Sequence, residues 1–144
     1  QKRLFFRQAP QGRGDQMGLA DTLHSAAAAL LKEGSVEEAS QMADEAATHY
    51  RKLNAPKRLG TSLDMAARAH LRMMEKADLG STNRMAELEV RHQHLKAKTA
   101  ACEAVTILGK GRTSDWEGAQ ASARCTMLRV VALELGISDS QGVV

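Results

Sequence analysis

The sequence predicts an all-α protein of about three stacked helical hairpins, an α-solenoid, with an irregular four- or five-helix bundle as the alternative. Three observations lead there. From Leu19 onward, apolar residues recur at three- and four-residue steps, the period of a helix with one covered face. Apolar residues make up 43% but are rich in alanine, as in Ala26-Ala27-Ala28-Ala29, while aromatics are only 3%. Such a composition suits helices that approach closely and not a β-sandwich, which draws on β-branched and aromatic residues. Breakers at Gly34, Asn54-Ala55-Pro56, Gly80 and Gly109-Lys110-Gly111 separate the periodic stretches.

Residues 1–17 read as an extended basic arm, because Pro10, Gly12, Gly14 and Gly18 break helical pattern there. The arm carries Lys2, Arg3 and Arg7 around Leu4-Phe5-Phe6. A solvated tail is depleted in aromatics, so Phe5 and Phe6 read as an anchor for a partner surface or for the body. Residues 18–137 form the helical domain and 138–144 a loose tail. The first helix presents Leu19, Leu23, Ala26, Ala27, Leu30 and Leu31 on one face, with Asp21 as a candidate N-cap. After Gly34, Ser35 and Glu38 have capping-box spacing. The second helix turns Val36, Ala39, Met42 or Ala43, Ala46, Tyr50 and Leu53 inward. Glu37 and Glu38 at its start and Arg51 and Lys52 at its end match the helix dipole.

The third helix is expected from about Ser62 to Ala77, with Leu63, Ala66, Ala67, His70, Leu71 and Met74 inward. The fourth starts near Thr82 and shows Met85, Leu88, His92, Leu95, Thr99 and Cys102 at alternating three- and four-residue steps. No glycine or proline lies between Ser81 and Leu108, so one long helix fills that stretch or two meet near Lys96-Ala97-Lys98. Gly109-Lys110-Gly111-Arg112 is a turn, Ser114 and Glu117 form a second candidate capping box, and the last helix ends at Gly136 as C-cap. Laid over one another, the hairpins repeat about every 40 residues, and stacking buries apolar faces that no single hairpin can cover.

One junction carries a family resemblance. Lys32-Glu33-Gly34-Ser35-Val36-Glu37-Glu38-Ala39 resembles the inter-helix junction of pentatricopeptide and tetratricopeptide repeats: a glycine at the turn, acidic residues opening the next helix, and a small residue at the crossing. Ala46 fits the next small packing position. The resemblance covers about 35 residues well; the later hairpins share the layout but not the motif. It implies a helical-repeat fold and two classes of function. Pentatricopeptide proteins typically bind RNA through polar residues that here fall on Ser25 and Asn54. Other repeat proteins of this kind are accessory subunits of large assemblies. Size, start and neutral body resemble the pentatricopeptide-like accessory subunits of the euglenozoan mitochondrial ATP synthase catalytic head.

Charge placement favours the second class. Residues 1–17 carry four basic groups against Asp15, which accounts for the net +3, and the remaining 127 residues balance 16 basic with 16 acidic groups. A folded face for nucleic acid is expected to be basic. The one local cluster is Arg51, Lys52, Lys57 and Arg58 around Pro56, a candidate contact for an acidic partner or for RNA. No catalytic constellation, metal spacing or cofactor motif is present: His24, His49, His70, His92 and His94 hold no ligand spacing, His70 with Cys102 has nothing to orient it, and the glycines at 109 and 111 lack phosphate-loop spacing. Cys102 and Cys125 match no disulfide framework and read as buried small hydrophobes in a reducing intracellular compartment. The start at Gln1 fits either removal of an organelle presequence, which implies the mitochondrial matrix, or a trimmed start. The expected protein is a non-catalytic subunit of a larger hetero-oligomeric complex, with RNA as the lesser partner. No membrane insertion or small-molecule substrate is expected.

Overall fold

The computed structural model describes residues 12–80 and 84–142. The arm's Lys2, Arg3, Leu4, Phe5, Phe6 and Arg7, the turn residues Ser81 and Thr82, and the tail's last two residues lie outside the described residues. The chain is all-α, as predicted. Five helices follow one another: α1 (Arg13–Glu33), α2 (Val36–Lys52), α3 (Pro56–Gly80), α4 (Arg84–Leu108) and α5 (Glu117–Gly142), with a 3-10 turn (Ser114–Trp116) leading into α5. No strand occurs among the described residues. The stretch before Leu108 is one helix of 25 residues, so the second and third expected hairpins share α4.

The ends of the elements follow backbone chemistry more than side-chain caps. Gly34 takes φ 92°, and its N–H and that of Ser35 close onto Leu31 and Leu30, a Schellman ending for α1. Asn54 repeats the device after α2, with φ 53° and N–H groups of Asn54 and Ala55 bonded to Arg51 and Tyr50. Pro56, which stops α2, is itself the first residue of α3. Its missing N–H costs nothing there, so α3 begins six residues before the expected Ser62.

Other expectations are corrected. Ser35 occupies the N-cap position of α2 without a side-chain cap bond, and Ser114 lies inside the 3-10 turn and not at an N-cap, so neither candidate capping box forms. Asp21 lies inside α1 and is no N-cap. Gly14 and Gly18 sit within α1, where a glycine costs only about 1 kcal/mol, so residues 13–17 of the expected arm are helical. Gly136 does not end α5, which runs through most of the expected tail to Gly142.

Contacts across the helices give the layout. Asp21 meets Arg58, His24 meets Ser62 and Leu31 meets Arg72, so α1 and α3 run parallel. Asp64 meets Ser122 and Glu75 meets Arg129, so α3 and α5 run parallel too. Near their C-terminal ends α2 and α4 are bridged by the Arg51–Glu103 ion pair. The odd helices form one layer against which α2 and α4 pack, and α3, which meets every other helix, lies at the centre. The offset between neighbours in the odd layer is 37 to 41 residues at α1/α3 but 58 and 54 at α3/α5, so the repeat has no fixed period.

The core divides into three clusters: Tyr50, Leu59, Leu63 and Leu108 between α2, α3 and α4; Leu31, Val36, Met65 and alanines between α1, α2 and α3; Leu71, Met74 and Val130 between α3, α4 and α5. Small residues set the helix spacing. Gly60 lies against Leu108, where a Cβ would sit 2.5 Å from Leu108 Cγ.

Candidate functional site

The basic cluster around Pro56 lies where α1, α2, α3 and the 3-10 turn converge, beside a cleft of about 500 Å³. Asp21, His24, Tyr50, Lys57, Arg58 and Trp116 contribute to its walls. Its charges are largely matched. Arg58 Nε lies 3.3 Å from Asp21, Lys57 Nζ lies 3.4 Å from Asp115, and Arg51 pairs with Glu103. Each pair is partly solvated and contributes little to stability, yet together they leave Lys52 as the exposed member of the cluster without an ion pair among the described residues.

Tyr50 is buried, and its hydroxyl donates to the Asp21 carboxylate. Burial first, and then the bonded carboxylate, raise its pKa well above the ordinary phenol range, so it stays a donor. His24 Nδ1 lies 2.9 Å from Ser62 Oγ, and burial lowers its pKa, opposed by Asp21. This chemistry fastens four elements together. The His24–Ser62 pair sets a hydroxyl beside an imidazole, but Ser62 is fully buried, so the contact joins α1 to α3 and presents no hydroxyl to solvent.

The two positions implied for RNA reading are dispersed. Ser25 is exposed on α1. Asn54 is exposed in the α2–α3 turn, where its left-handed backbone ends α2. Neither lines the cleft; among the described residues, Lys57 and Arg58 are the expected site residues that do.

Sequence reasoning missed the buried polar contacts of α3. His70, placed inward as expected, donates from Nδ1 to Gln93 Oε1 at 2.8 Å, while Gln93 Nε2 donates to Glu89 at 2.7 Å. Asp44 stands 4.0 Å from the other ring nitrogen. Burial lowers the pKa of His70, an effect partly offset by Gln93 and Asp44. His70 is therefore committed to Gln93 and does not pair with Cys102, whose thiol lies 3.8 Å from Met127 Sδ. Asp64 is 2% exposed and accepts from Ser122 at 2.6 Å. Both cysteines are exposed, which overturns their reading as buried hydrophobes. Among the described residues no group of three or more His, Cys, Asp or Glu side chains could hold a metal ion, and no helix is long and apolar enough to cross a membrane.

The largest departure concerns α4. The row that stands at alternating three- and four-residue steps, Met85, Leu88, His92, Leu95, Thr99 and Cys102, faces out. Gln93, Ala97, Ala101, Ala104 and Leu108 face the core instead. Met85, Leu88 and Leu95 are 73%, 53% and 62% exposed. On α5, Leu128, Val131 and Leu135 are exposed as well. The signal was present in the spacing, since a second row of α4 carries the same period, but small residues made that row look like the weaker core.

The chain matches no protein-family model, no curated protein and no solved structure.

Proposed function

We propose that the chain is a non-catalytic accessory subunit that docks onto a larger protein assembly through the outward face of α4 and the N-terminal arm. The observation that carries this reading is the row of Met85, Leu88 and Leu95. It is a helical apolar row that the protein's own core does not use. Apolar side chains gathered on one exposed face, rather than scattered singly, are the ordinary mark of a protein contact. The internal ion pairs of Arg51, Lys57 and Arg58 support a protein partner over RNA, because charges already matched release few counterions on binding a phosphate backbone.

The pentatricopeptide-type junction at Gly34 fits the same proposal, since such repeats are interaction scaffolds. The proposed setting is a reducing intracellular compartment. The mitochondrial matrix, and an assembly such as ATP synthase, are the first places to look. Native electrophoresis of a gentle extract of the source cells tests the reading, with the wild-type chain compared with Leu88→Asp/Leu95→Asp. The wild type is expected to migrate with a large complex and the variant to be released from it while keeping its helical circular dichroism. Migration of the wild type near its own 15.6 kDa would overturn the proposal. An RNA-binding protein would instead show binding that weakens steeply with salt.

A further inference from the structure

The last helix, α5, is apolar on two opposite sides. Its inward side carries Ala123, Thr126 and Val130, all buried. Ser122 and Arg129 bind α3 through Asp64 and Glu75. Met127 and Glu134 meet α4 at Cys102 and Lys98. On the opposite side, Ala121, Cys125, Leu128, Ala132 and Leu135 follow one another at steps of four, three, four and three, and all are exposed. Leu128 is 68% and Leu135 61% exposed, and Val131 flanks them at 37%. A strict four-three alternation is the seam of a helix that pairs with another helix, and a helix apolar on both sides is one that is covered on both.

We infer that α5 pairs antiparallel with α5 of a second copy of this chain, about a two-fold axis at Leu128. Three features favour this occupant. The first is shape. Antiparallel pairing about Leu128 sets Leu135 over Ala121 and Val131 over Cys125, so each larger side chain faces a smaller one and only Leu128 meets its equal. Ala121, Cys125 and Ala132 let the backbones approach at the short end of helix-packing distances.

The second is charge. Arg124 is the one cation within the apolar arc. In the pair it lies opposite Ala132, about 12 Å along the axis from its mate, so like charges do not oppose one another. Arg129, at the edge of the seam, is already paired with Glu75. The third is extent. The seam from Ala121 to Leu135 is about 21 Å long, which gives an isologous contact at the low end of specific interfaces and so a weak, concentration-dependent dimer. The inference uses a different face from the α4 row and stands independently of the docking proposal.

The test is sedimentation equilibrium of the full chain from about 1 to about 500 μM, a span that brackets weak association. The wild type is expected to move from monomer toward dimer mass, and Leu128→Arg to remain monomeric over the same range. Leu128 points to solvent, so the variant is expected to keep its circular dichroism and urea midpoint. A second measurement fixes the register: in Cys102→Ser/Val131→Cys, mild oxidation with diamide should join Cys125 of one copy to position 131 of the other, mapped by peptide mass spectrometry. A monomer at every concentration overturns the inference, including the case where α5 is covered only within a complex with another protein. So does a dimer that Leu128→Arg leaves intact, or the absence of the 125–131 link.

Discussion

The closest approach between α3 and α4 gives the sharpest test of the packing. Gly60 lies on α3, buried, and a Cβ added there would stand 2.5 Å from Leu108 Cγ and 2.7 Å from Cδ2. The colliding atom is the branch point of Leu108, and Leu108 is 1% exposed among Ala104, Tyr50, Leu59 and Leu63. It has little room to rotate away. Gly60→Ala therefore sets two effects against each other. Replacing glycine with alanine inside a helix gains about 0.5–1 kcal/mol, while overpacking a filled core costs about 1–3 kcal/mol. The net expectation is a loss of about 0–2.5 kcal/mol in urea unfolding followed by circular dichroism.

The partner variant makes the cause identifiable. Leu108→Ala alone is expected to cost about 2–5 kcal/mol, but in Gly60→Ala/Leu108→Ala the new methyl group has room, so the double variant should be more stable than the sum of the singles predicts. The assignment fails if Gly60→Ala raises the urea midpoint, or if the two changes are additive within about 0.5 kcal/mol.

Ser35→Ala should cost less than about 0.5 kcal/mol, because Ser35 makes no side-chain cap bond and its carbonyl still accepts the Ala39 N–H; a loss near 1 kcal/mol in thermal or urea unfolding would mean that a cap forms in solution. Tyr50→Phe should cost about 0.5–1.5 kcal/mol, since Asp21 loses a donor but keeps water and Arg58; equal stability would show that the Tyr50–Asp21 bond contributes nothing net. The burial-lowered pKa of His70 gives a signed pH dependence. The unfolded chain takes up its proton at the ordinary value of 6.5 and the folded chain only below that, so stability holds above 6.5 and falls as the pH drops below it. His70→Gln should reduce the loss of urea midpoint between about pH 7.5 and about pH 5.5, and an unchanged loss would assign it to other groups such as His24.

The N-terminal half of the fold was the more legible. Gly34 and Pro56 mark their turns because each has a backbone property no other residue supplies there: tolerance of positive φ in one case, a fixed φ without an N–H in the other. The faces of α2 and α3 also matched expectation, with Val36, Ala39, Ala46 and Tyr50, and Leu63, Ala66 and Leu71, buried. Reading failed where two rows of one helix share a period. On α4, hydrophobicity favours Met85, Leu88 and Leu95, but the structure buries the alanine row, because alanine lets α3 approach and Gln93 bonds His70.

The candidate site was legible only as a cluster of charge. Whether Arg51, Lys57 and Arg58 were free depended on Glu103, Asp115 and Asp21, and the first two lie 52 and 58 residues away along the chain. No local pattern announces such pairs. The exposed thiols were misread for a related reason. A cysteine's burial follows from which row its helix turns inward, and that choice was made by neighbours elsewhere in the sequence.

The distribution of side-chain sizes links the thin core to the proposed contacts. Among the described residues alanine supplies 13 of the 24 buried apolar ones, while α4 and α5 leave Met85, Leu88, Leu95, Leu128, Val131 and Leu135 outside. Self-pairing of α5 would cover six large side chains, three from each copy. At about 1.5–3 kcal/mol for full burial, and with roughly half of each side chain still to be covered, the gain is about 5–9 kcal/mol. Association costs about 4–15 kcal/mol before any contact is counted, so the pair can only be weak and must be sensitive to a single change at Leu128. The α4 row has three large residues, and its gain depends as much on what a partner brings to the contact as on the row itself. On the same arithmetic the three give about 2–5 kcal/mol, at the low end of that cost, and the proposal gives a second contact to Leu4-Phe5-Phe6. Weakened assembly on changing Phe5 and Phe6 to alanine, with α4 intact, is the result a two-point contact predicts; full assembly without them would remove the arm from the contact and leave it to α4 and what the partner brings.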